Sequence, residues 1–186
     1  PGLLPPVCAC CGVGLEGAYD ARLTCARCLD HVPAFTAARA PFVYRGPVRE
    51  AIHAFKYGGH HRIGPWLGAQ MAYAARTFPL ADVHVVAPVP LHWLKRRLRG
   101  RDPVASLATR VARLLGLRCE PRLLRRVRWT PSQTRLTRSQ RVRNVERTFV
   151  AVRPSTPSSS ILLVDDVLTS GATAHACARV LRHAGW

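Results

Sequence analysis

The sequence predicts an α/β protein in which a mainly parallel sheet is flanked by helices, with a small metal-binding segment at the N-terminus. Residues 83–87 and 161–164 are short, largely apolar runs, typical of strands that are buried on both faces of a sheet. Segments with helical periodicity lie between these runs and after the second. Two CxxC pairs near the N-terminus predict the appended segment. We expect residues 1–33 to form this segment and residues 34–186 to form the α/β domain.

The composition is that of one medium domain with a small appendage. The chain has 186 residues, 48% of them hydrophobic, and no apolar run approaches the ~18 residues that a membrane span requires. The sequence contains no basic stretch followed by an apolar segment, the pattern that would indicate secretion. We therefore expect a cytoplasmic protein without a membrane span.

The two CxxC pairs favour a structural metal site. Four thiolates at this spacing suit the tetrahedral coordination of Zn²⁺ and leave no open position for catalysis. A disulfide framework is disfavoured in the cytoplasm, an iron–sulfur cluster is an alternative, and Cys10 is a spare thiol that could compete as a ligand. The predicted metal ligands are Cys8, Cys11, Cys25 and Cys28.

The remaining elements follow from periodicity and capping residues. We expect a strand at residues 38–44, helices at residues 47–57 and 64–78, and a final helix at residues 172–184. Asp102 is the predicted N-cap of one further helix, with Pro103 at its first position. In that helix the apolar residues face the core, and two arginines point away from it, Arg110 and Arg113.

The second apolar run leads into a pattern suited to a sugar phosphate. Two carboxylates follow the strand, and a small, hydroxyl-rich turn then opens the last helix. Backbone N–H groups and the helix dipole favour a phosphate in such a turn, and the carboxylates can hold ribose hydroxyls and, through water, Mg²⁺. The alternative is that Asp166 caps the helix of an ordinary strand–helix turn. The candidate residues are Asp165, Asp166, Thr169, Ser170, Gly171, Ala172 and Thr173.

This stretch resembles the 5-phosphoribosyl 1-diphosphate (PRPP) signature of type I phosphoribosyltransferases, which is a hydrophobic strand, two acids and a T-x-G-x-T-like loop. The resemblance implies that family's fold, with a further strand after the last helix. It also implies that Asp165 and Asp166 are the catalytic carboxylates and that the 5-phosphate lies in the turn. The sharp break after residues 83–87 matches the family's diphosphate loop, at Pro88, Val89 and Pro90.

The chain is strongly basic, with a net charge of +18. Residues 95–147 contain seventeen Lys or Arg and three acids, and Trp93 and Trp129 lie within or beside this segment as possible stacking platforms. Such a surface attracts polyanions, nucleic acid above all, although a solvated basic face with no partner is the alternative. The candidate residues for diphosphate or nucleic-acid binding are Arg96, Arg97, Arg99, Arg101, Arg125, Arg126, Arg128, Gln133, Arg138, Arg141 and Asn144.

The order of these features is similar to that of the ComF family of competence proteins over nearly the whole chain. Thr130, Gln133 and Leu136 match that family's T-x2-Q-x2-L pattern, and residues 141–145 match R-x2-N-V. Residues 99–103 depart from it, because they read RGRDP where the family commonly has RGFNQ.

The resemblance implies a role in natural transformation, in which the protein handles imported single-stranded DNA with other competence proteins such as a helicase or a recombination mediator. A PRPP site with Mg²⁺ would accompany that role. The alternative is an active phosphoribosyltransferase on an unidentified acceptor, and the residues leave catalysis open.

Overall fold

The computed structural model describes residues 6–15, 23–78, 80–91, 101–127, 148–153 and 160–186. Helices and strands alternate along most of this chain, as the sequence predicts. The elements are α1 (Ala26–Asp30), α2 (Gly46–Tyr57), α3 (Ile63–Ala75), β1 (Val83–Pro88), α4 (Pro103–Leu115), β2 (Arg118–Cys119), β3 (Leu124–Arg126), β4 (Phe149–Ala151), β5 (Ser160–Val164) and α5 (Ala172–Ala184).

A parallel sheet of three strands, in the order β2-β1-β5, forms the centre of the described residues. Val86 of β1 pairs with Cys119 of β2 on one side and with Leu162 of β5 on the other. Because all three strands are parallel, their carboxyl ends meet at one edge of the sheet, where ligands commonly bind in folds of this class. We refer to this edge as the carboxyl edge.

Helices cover both faces of the sheet. Val85 and Ala87 of β1 pack with α5, whereas Val86 packs with α2, α3 and α4 on the opposite face. Successive side chains of a strand point to opposite faces, so burial of all these residues is what a strand inside a helix–sheet–helix sandwich requires. The predicted fold class, a parallel sheet flanked by helices with a cysteine cluster near the N-terminus, is confirmed.

The N-terminus of α4 follows the predicted capping. Asp102 accepts a hydrogen bond through Oδ1 from the backbone N–H of Ala105, at 3.0 Å, and Pro103 occupies the first helical position. Its apolar side chains are buried as the periodicity predicts, with Leu107, Ala108 and Val111 at most 2% exposed. The start of α4 is therefore fixed by local sequence and its orientation by the apolar face.

The strand predicted at residues 38–44 is wrong, because these residues form no strand beyond a single bridging residue, Phe42. Their polar groups are engaged elsewhere. The Ala38 N–H donates to the Cys10 carbonyl at 2.6 Å, and Pro41 has no N–H to donate. The segment therefore packs on the cysteine cluster instead of extending a sheet.

The described residues also form a second sheet of two strands. Residues 124–126 form β3, which pairs antiparallel with β4 and aligns Arg126 with Phe149. The chain between these two strands, residues 128–147, lies outside the described residues. Of the two strands, β4 packs against α5.

No helix in the described part of the chain combines the length and the apolar character needed to cross a membrane.

Candidate functional site

The candidate sugar-phosphate residues meet at the carboxyl edge. Asp165 and Asp166 follow β5 directly, and the Pro-Val-Pro turn follows the neighbouring β1. The Val89 N–H donates to the Val164 carbonyl at 2.8 Å, which continues the pairing beyond Pro88, whose nitrogen carries no hydrogen. The structure thus brings together two parts of the predicted site that are more than seventy residues apart in sequence.

Asp165 is held at the strand end by the chain itself. Its Oδ1 accepts the backbone N–H of Asp166 at 2.8 Å. Burial, followed by the negative charge of Asp166, raises the pKa of Asp165 to about 7, although the Asp166 N–H and Lys56 act in the opposite direction. Hydroxyl donors or a cation bound beside the Asp165 carboxyl group would stabilise its ionised form.

Asp166 forms an ion pair with Lys56, whose Nζ lies 2.8 Å from Oδ1. The two side chains are only 18% and 12% exposed, so this pair is shielded from solvent far more than a surface salt bridge. Lys56 lies in the last turn of α2, directly after Phe55, which is buried beside Gly64. Packing of Phe55 therefore brings the ammonium group to the carboxyl edge.

Lys56 is not among the site residues that the sequence patterns predict. One signal was available: 26 of the 28 cationic Lys and Arg side chains are arginine, and Lys56 is one of two lysines. Lys56 also follows a buried Phe and precedes Gly58 and Gly59, which end the helix. In so arginine-rich a chain, a lysine at this place indicates a need for a compact ammonium group and not a planar guanidinium.

The turn between β5 and α5 has the geometry of an anion cradle. Gly171 lies at φ +76°, a left-handed conformation that favours glycine, and it precedes α5 with no side chain capping the helix. The Ala172 N–H is 3.4 Å from Ser170 Oγ, a long hydrogen bond that a ligand could replace. Since Asp166 does not cap α5, the alternative of a simple helix-capping acid is wrong.

The chain after the cysteine cluster lies against this turn. The Ala34 N–H donates to Nδ1 of His175 in the first turns of α5, at 3.1 Å. A Cβ atom added to Gly171 would lie 3.7 Å from the ring of Phe35. Burial and the nearby Arg179 lower the pKa of His175, which favours the neutral imidazole that this hydrogen bond requires.

Two neighbouring arginines of β3 differ in their surroundings. Arg125 is exposed, whereas Arg126 is half-buried, with its guanidinium 5.7 Å from the centre of the Phe149 ring. Burial lowers the pKa of Arg126, and the nearby Cys177 and Asp165 oppose that effect. The Arg126 guanidinium is therefore close to the Asp165 carboxyl group. Of the two, Arg126 is the one within electrostatic reach of Asp165.

Arg101 is engaged within the protein. Its guanidinium donates to the Phe55 carbonyl at 3.1 Å, near the C-terminus of α2, and also contacts Nε2 of His61. Cationic side chains are favoured at helix C-termini, so these contacts stabilise the end of α2 that carries Lys56. The other predicted residues of this set lie outside the described residues: Arg96, Arg97, Arg99, Arg128, Gln133, Arg138, Arg141 and Asn144.

The four predicted cysteine ligands form a cluster in which the sulfur atoms lie within 4.8 Å of one another. Cys11 and Cys25 have their Sγ atoms 3.6 Å apart. Zn–S bonds of about 2.3 Å in a tetrahedron separate neighbouring sulfurs by roughly 3.8 Å, so the described cluster fits such an ion. The backbone N–H groups of Cys11 and Cys25 donate to Cys8 Sγ at 3.4 and 3.3 Å.

The protonation of these thiols also fits a cation site. Burial opposes ionisation of Cys8, but the N–H donors around its sulfur outweigh it and lower its pKa to about 6. Burial, followed by the adjacent thiols of Cys11 and Cys25, raises the pKa of Cys28. Four thiolates this close together repel, and a bound divalent cation offsets that repulsion.

A cavity of about 1160 Å³ extends along β5 from the cysteine cluster toward the carboxyl edge. Its wall includes Phe35, Phe42 and Tyr44 from the segment after the cluster, and Asp165 and Asp166 at the other end. The carboxylates thus line a space large enough for a small organic ligand.

Comparison with curated proteins found relatives that match almost the whole chain. The chain is 29% identical over 187 residues to Competence protein F of Haemophilus influenzae, covering 97% of this chain and 80% of the relative. It is 27% identical over 183 residues to DNA utilization protein YhgH of Escherichia coli K12, covering 96% of this chain and 79% of that protein. The protein of the same name from Salmonella typhimurium is 28% identical over 184 residues, with 96% and 80% covered. A scan against models of protein families gave no match.

These relatives match the chain over 96–97% of its length. The cluster of four cysteines and the parallel sheet are both present in the structure. The resemblance to the ComF family of competence proteins that the motifs predict is confirmed by these relatives.

Proposed function

We propose that the protein acts in DNA uptake during natural transformation, in the cytoplasm, by binding imported single-stranded DNA and carrying a PRPP site at the carboxyl edge. The names of its relatives, a competence protein and DNA utilization proteins, support the broader role. Its other competence partners would be of the helicase or recombination-mediator type.

The observation that supports the PRPP site best is the pair Asp165 and Asp166 beside Lys56, next to an uncapped turn. In this proposal the carboxylates accept hydrogen bonds from ribose hydroxyls and face the outer shell of a metal ion. The backbone of the turn holds the 5-phosphate. The diphosphate lies toward Pro88, Val89 and Pro90 and the arginines that follow in sequence, Arg96, Arg97 and Arg99.

The residues present fit Mg²⁺ bound together with PRPP. Two adjacent carboxylates are hard oxygen donors. Burial and then the negative charge of Asp166 raise the pKa of Asp165, and a cation bound here would offset both effects. Mg²⁺ would supply neutralisation of the diphosphate charge. Lys56 would fix the orientation of the Asp166 carboxylate, because their ion pair is largely shielded from water.

For the cysteine cluster we propose a structural zinc ion. All four donors are sulfur, and the described geometry leaves no position for a catalytic water. Zinc would fix the loop that carries Cys8 and Cys11 against the helix that carries Cys28.

A second candidate function is transfer of the phosphoribosyl group from PRPP to an acceptor. The same carboxylate pair favours it, because the acceptor's bond to the anomeric carbon forms as diphosphate leaves, and charge develops on the ribose. The carboxylates would then stabilise the cationic ribose in addition to holding its hydroxyls.

Titration calorimetry with PRPP and Mg²⁺, with and without single-stranded DNA, tests the proposed PRPP site. We expect binding by the unaltered protein and at least a tenfold loss of affinity in Asp166→Asn, because one charge-assisted partner is removed. Asp82→Asn is the matched control, since Asp82 is exposed and precedes β1 at the opposite edge of the sheet. Absence of PRPP binding by the unaltered protein, or equal affinity in both variants, would overturn the proposal.

Diphosphate release distinguishes the two functions. Release that depends on an acceptor and disappears in Asp165→Asn would establish the transferase. Tight PRPP binding with no release for a panel of nucleobases and amines would favour a ligand site that serves DNA handling.

A further inference from the structure

The outer side of α3 and α4 carries exposed aromatic rings among arginines. Tyr73 is 75% exposed and Trp66 is 51% exposed, both on α3. Seven residues separate them, which is nearly two helical turns, so both side chains lie on one side of α3, about 10.5 Å apart along its axis. Large aromatic side chains are seldom left in solvent as an aligned pair without a partner.

Trp66 is held in position by the fold. Its indole stacks on the ring of Phe42, with the ring centres 5.3 Å apart and the planes inclined by 14°. Because one face of the indole is supported in this way, the half of the side chain that remains exposed is presented with little loss of conformational freedom on binding. A supported ring of this kind suits stacking of a flat ligand group.

The charges around these rings all have one sign. Arg62 and Arg76 are exposed one turn before Trp66 and just after Tyr73, and Arg113 is exposed on α4. No acidic residue occurs between Glu50 and Asp82, or between Asp102 and Glu120, so both helices lack acids entirely. We call the set Arg62, Trp66, Tyr73, Arg76 and Arg113 the aromatic–arginine face.

The two helices are packed closely enough to act as one surface. Gly68 of α3 lies against Arg110 of α4, where an added Cβ would be 2.6 Å from the arginine Cγ. Beside Tyr73 and Arg76, a shallow groove of about 470 Å³ runs between α3 and Leu114 of α4. Both helices start at the carboxyl edge, because α3 leads into the start of β1 and α4 leaves its end.

We propose that the aromatic–arginine face binds single-stranded DNA, with bases stacked on Trp66 and Tyr73 and phosphates paired with the arginines. Exposed rings that alternate with cations are the combination that recognises unpaired bases on a charged backbone. In a duplex the base faces are already stacked, so the rings favour a single strand. This inference rests on the proposed function, which requires DNA binding but does not say where the strand lies.

Fluorescence anisotropy with a labelled oligothymidylate tests this face. The double variant Trp66→Ala, Tyr73→Ala is compared with the control Leu29→Ala, Val32→Ala. The control removes one exposed apolar side chain of α1 and one just after its end, 68% and 78% exposed. We expect the aromatic variant to lose affinity by about 10- to 100-fold, because each base–aromatic stack is worth roughly a factor of ten. The control pair should bind as the unaltered protein does.

The salt dependence separates the arginines from the rings. Arg76→Gln with Arg113→Gln should lower the slope of log affinity against log salt by about 0.7 for each phosphate that is no longer neutralised. The aromatic variant should keep the unaltered slope. All four substituted positions are exposed, so we expect both double variants to fold. Circular dichroism and thermal unfolding verify this.

The outcomes distinguish the inference from the function on which it rests. If the unaltered protein binds no single-stranded DNA, the DNA-binding function itself fails and this face with it. If the unaltered protein binds and the aromatic variant binds equally well, the function stands and the inference is wrong.

Discussion

At the scale of single residues, the carboxyl edge depends on three charges whose arrangement no local pattern specifies. Asp165 and Asp166 are adjacent in sequence, but Lys56 is more than a hundred residues away. Lys56 forms an ion pair with Asp166, whereas burial and then the Asp166 charge raise the pKa of Asp165. The two adjacent acids therefore have different partners in the folded protein.

The raised pKa of Asp165 predicts a pH-dependent stability. A carboxyl group with a folded-state pKa of about 7, above the ordinary 3.8, contributes stability that is fully present below pH ~4 and is lost as the pH rises through 7. Asp165→Asn removes this titration while keeping an oxygen that can accept the Asp166 N–H. We expect the stability of the variant relative to the unaltered protein to increase from pH 4 to 7 and to level off above.

Urea denaturation at several pH values measures this difference. Asp82→Asn, which changes an exposed acid at the other edge of the sheet, provides the reference for general charge effects. A difference between Asp165→Asn and the unaltered protein that stays constant from pH 4 to 8 would show that Asp165 titrates normally.

At the scale of elements, the parts that local chemistry controls were predictable from the sequence. Asp102 and Pro103 define the start of α4, and a left-handed glycine, Gly116, follows its last residue. The apolar run of β5 and the helix that follows the turn were likewise predicted within a residue or two. In each case the signal lies within a few residues of the element itself.

The N-cap of α4 gives a quantitative prediction. Asp102→Ala removes the hydrogen bond to the Ala105 N–H, and we expect the free energy of unfolding to fall by about 1 kcal/mol. Asp102→Asn is the matched variant, because its side-chain oxygen can still accept that N–H. Denaturant titration should therefore rank the Asn variant close to the unaltered protein, and an equal loss in both variants would contradict a capping role.

The elements that sequence reasoning missed are those decided by distant contacts. Residues 38–44 are mostly apolar and end in the strand-favouring run Phe-Val-Tyr. Arg39, however, donates to the carbonyls of Cys8 and Ala9 on the metal loop at 3.3 and 3.0 Å. Lys56 reaches Asp166 only because Phe55 packs beside Gly64. Both results depend on how separate parts of the chain pack, which periodicity does not report.

At the scale of the whole molecule, the cysteine cluster and the candidate phosphate turn are connected by one short stretch of chain, residues 34–39. At one end of this stretch, the Ala38 N–H donates to Cys10, and Gly12 is packed so closely that an added Cβ would lie 2.4 Å from the Ala38 carbonyl oxygen. At the other end, Ala34 donates to His175 and Phe35 lies beside Gly171. A change in the metal loop therefore reaches the turn through direct contacts.

This connection predicts that removing the metal weakens anion binding at the turn. Chelation should release the loop that carries Cys8 and Cys11, loosen residues 34–39, and withdraw the packing of Phe35 from Gly171. Hydrogen exchange should rise at the Ala34 and Ala38 amides, whose N–H groups are hydrogen-bonded in the intact fold. The affinity for PRPP with excess Mg²⁺ should fall by several-fold and recover when zinc is restored.

A second cysteine variant controls for the loss of a thiol. Cys119 lies on β2, far in sequence from the cluster, so Cys119→Ser removes a sulfur and should leave both the exchange rates and the affinity unchanged. Cys11→Ser should reproduce the effect of chelation, because it removes one of the four clustered donors. Faster exchange at Ala38 with unaltered PRPP affinity would show that the metal loop stabilises only its own segment. Loss of exchange protection at Ala38 together with loss of PRPP affinity would show that the metal site controls ligand binding at a distance from its own ligands.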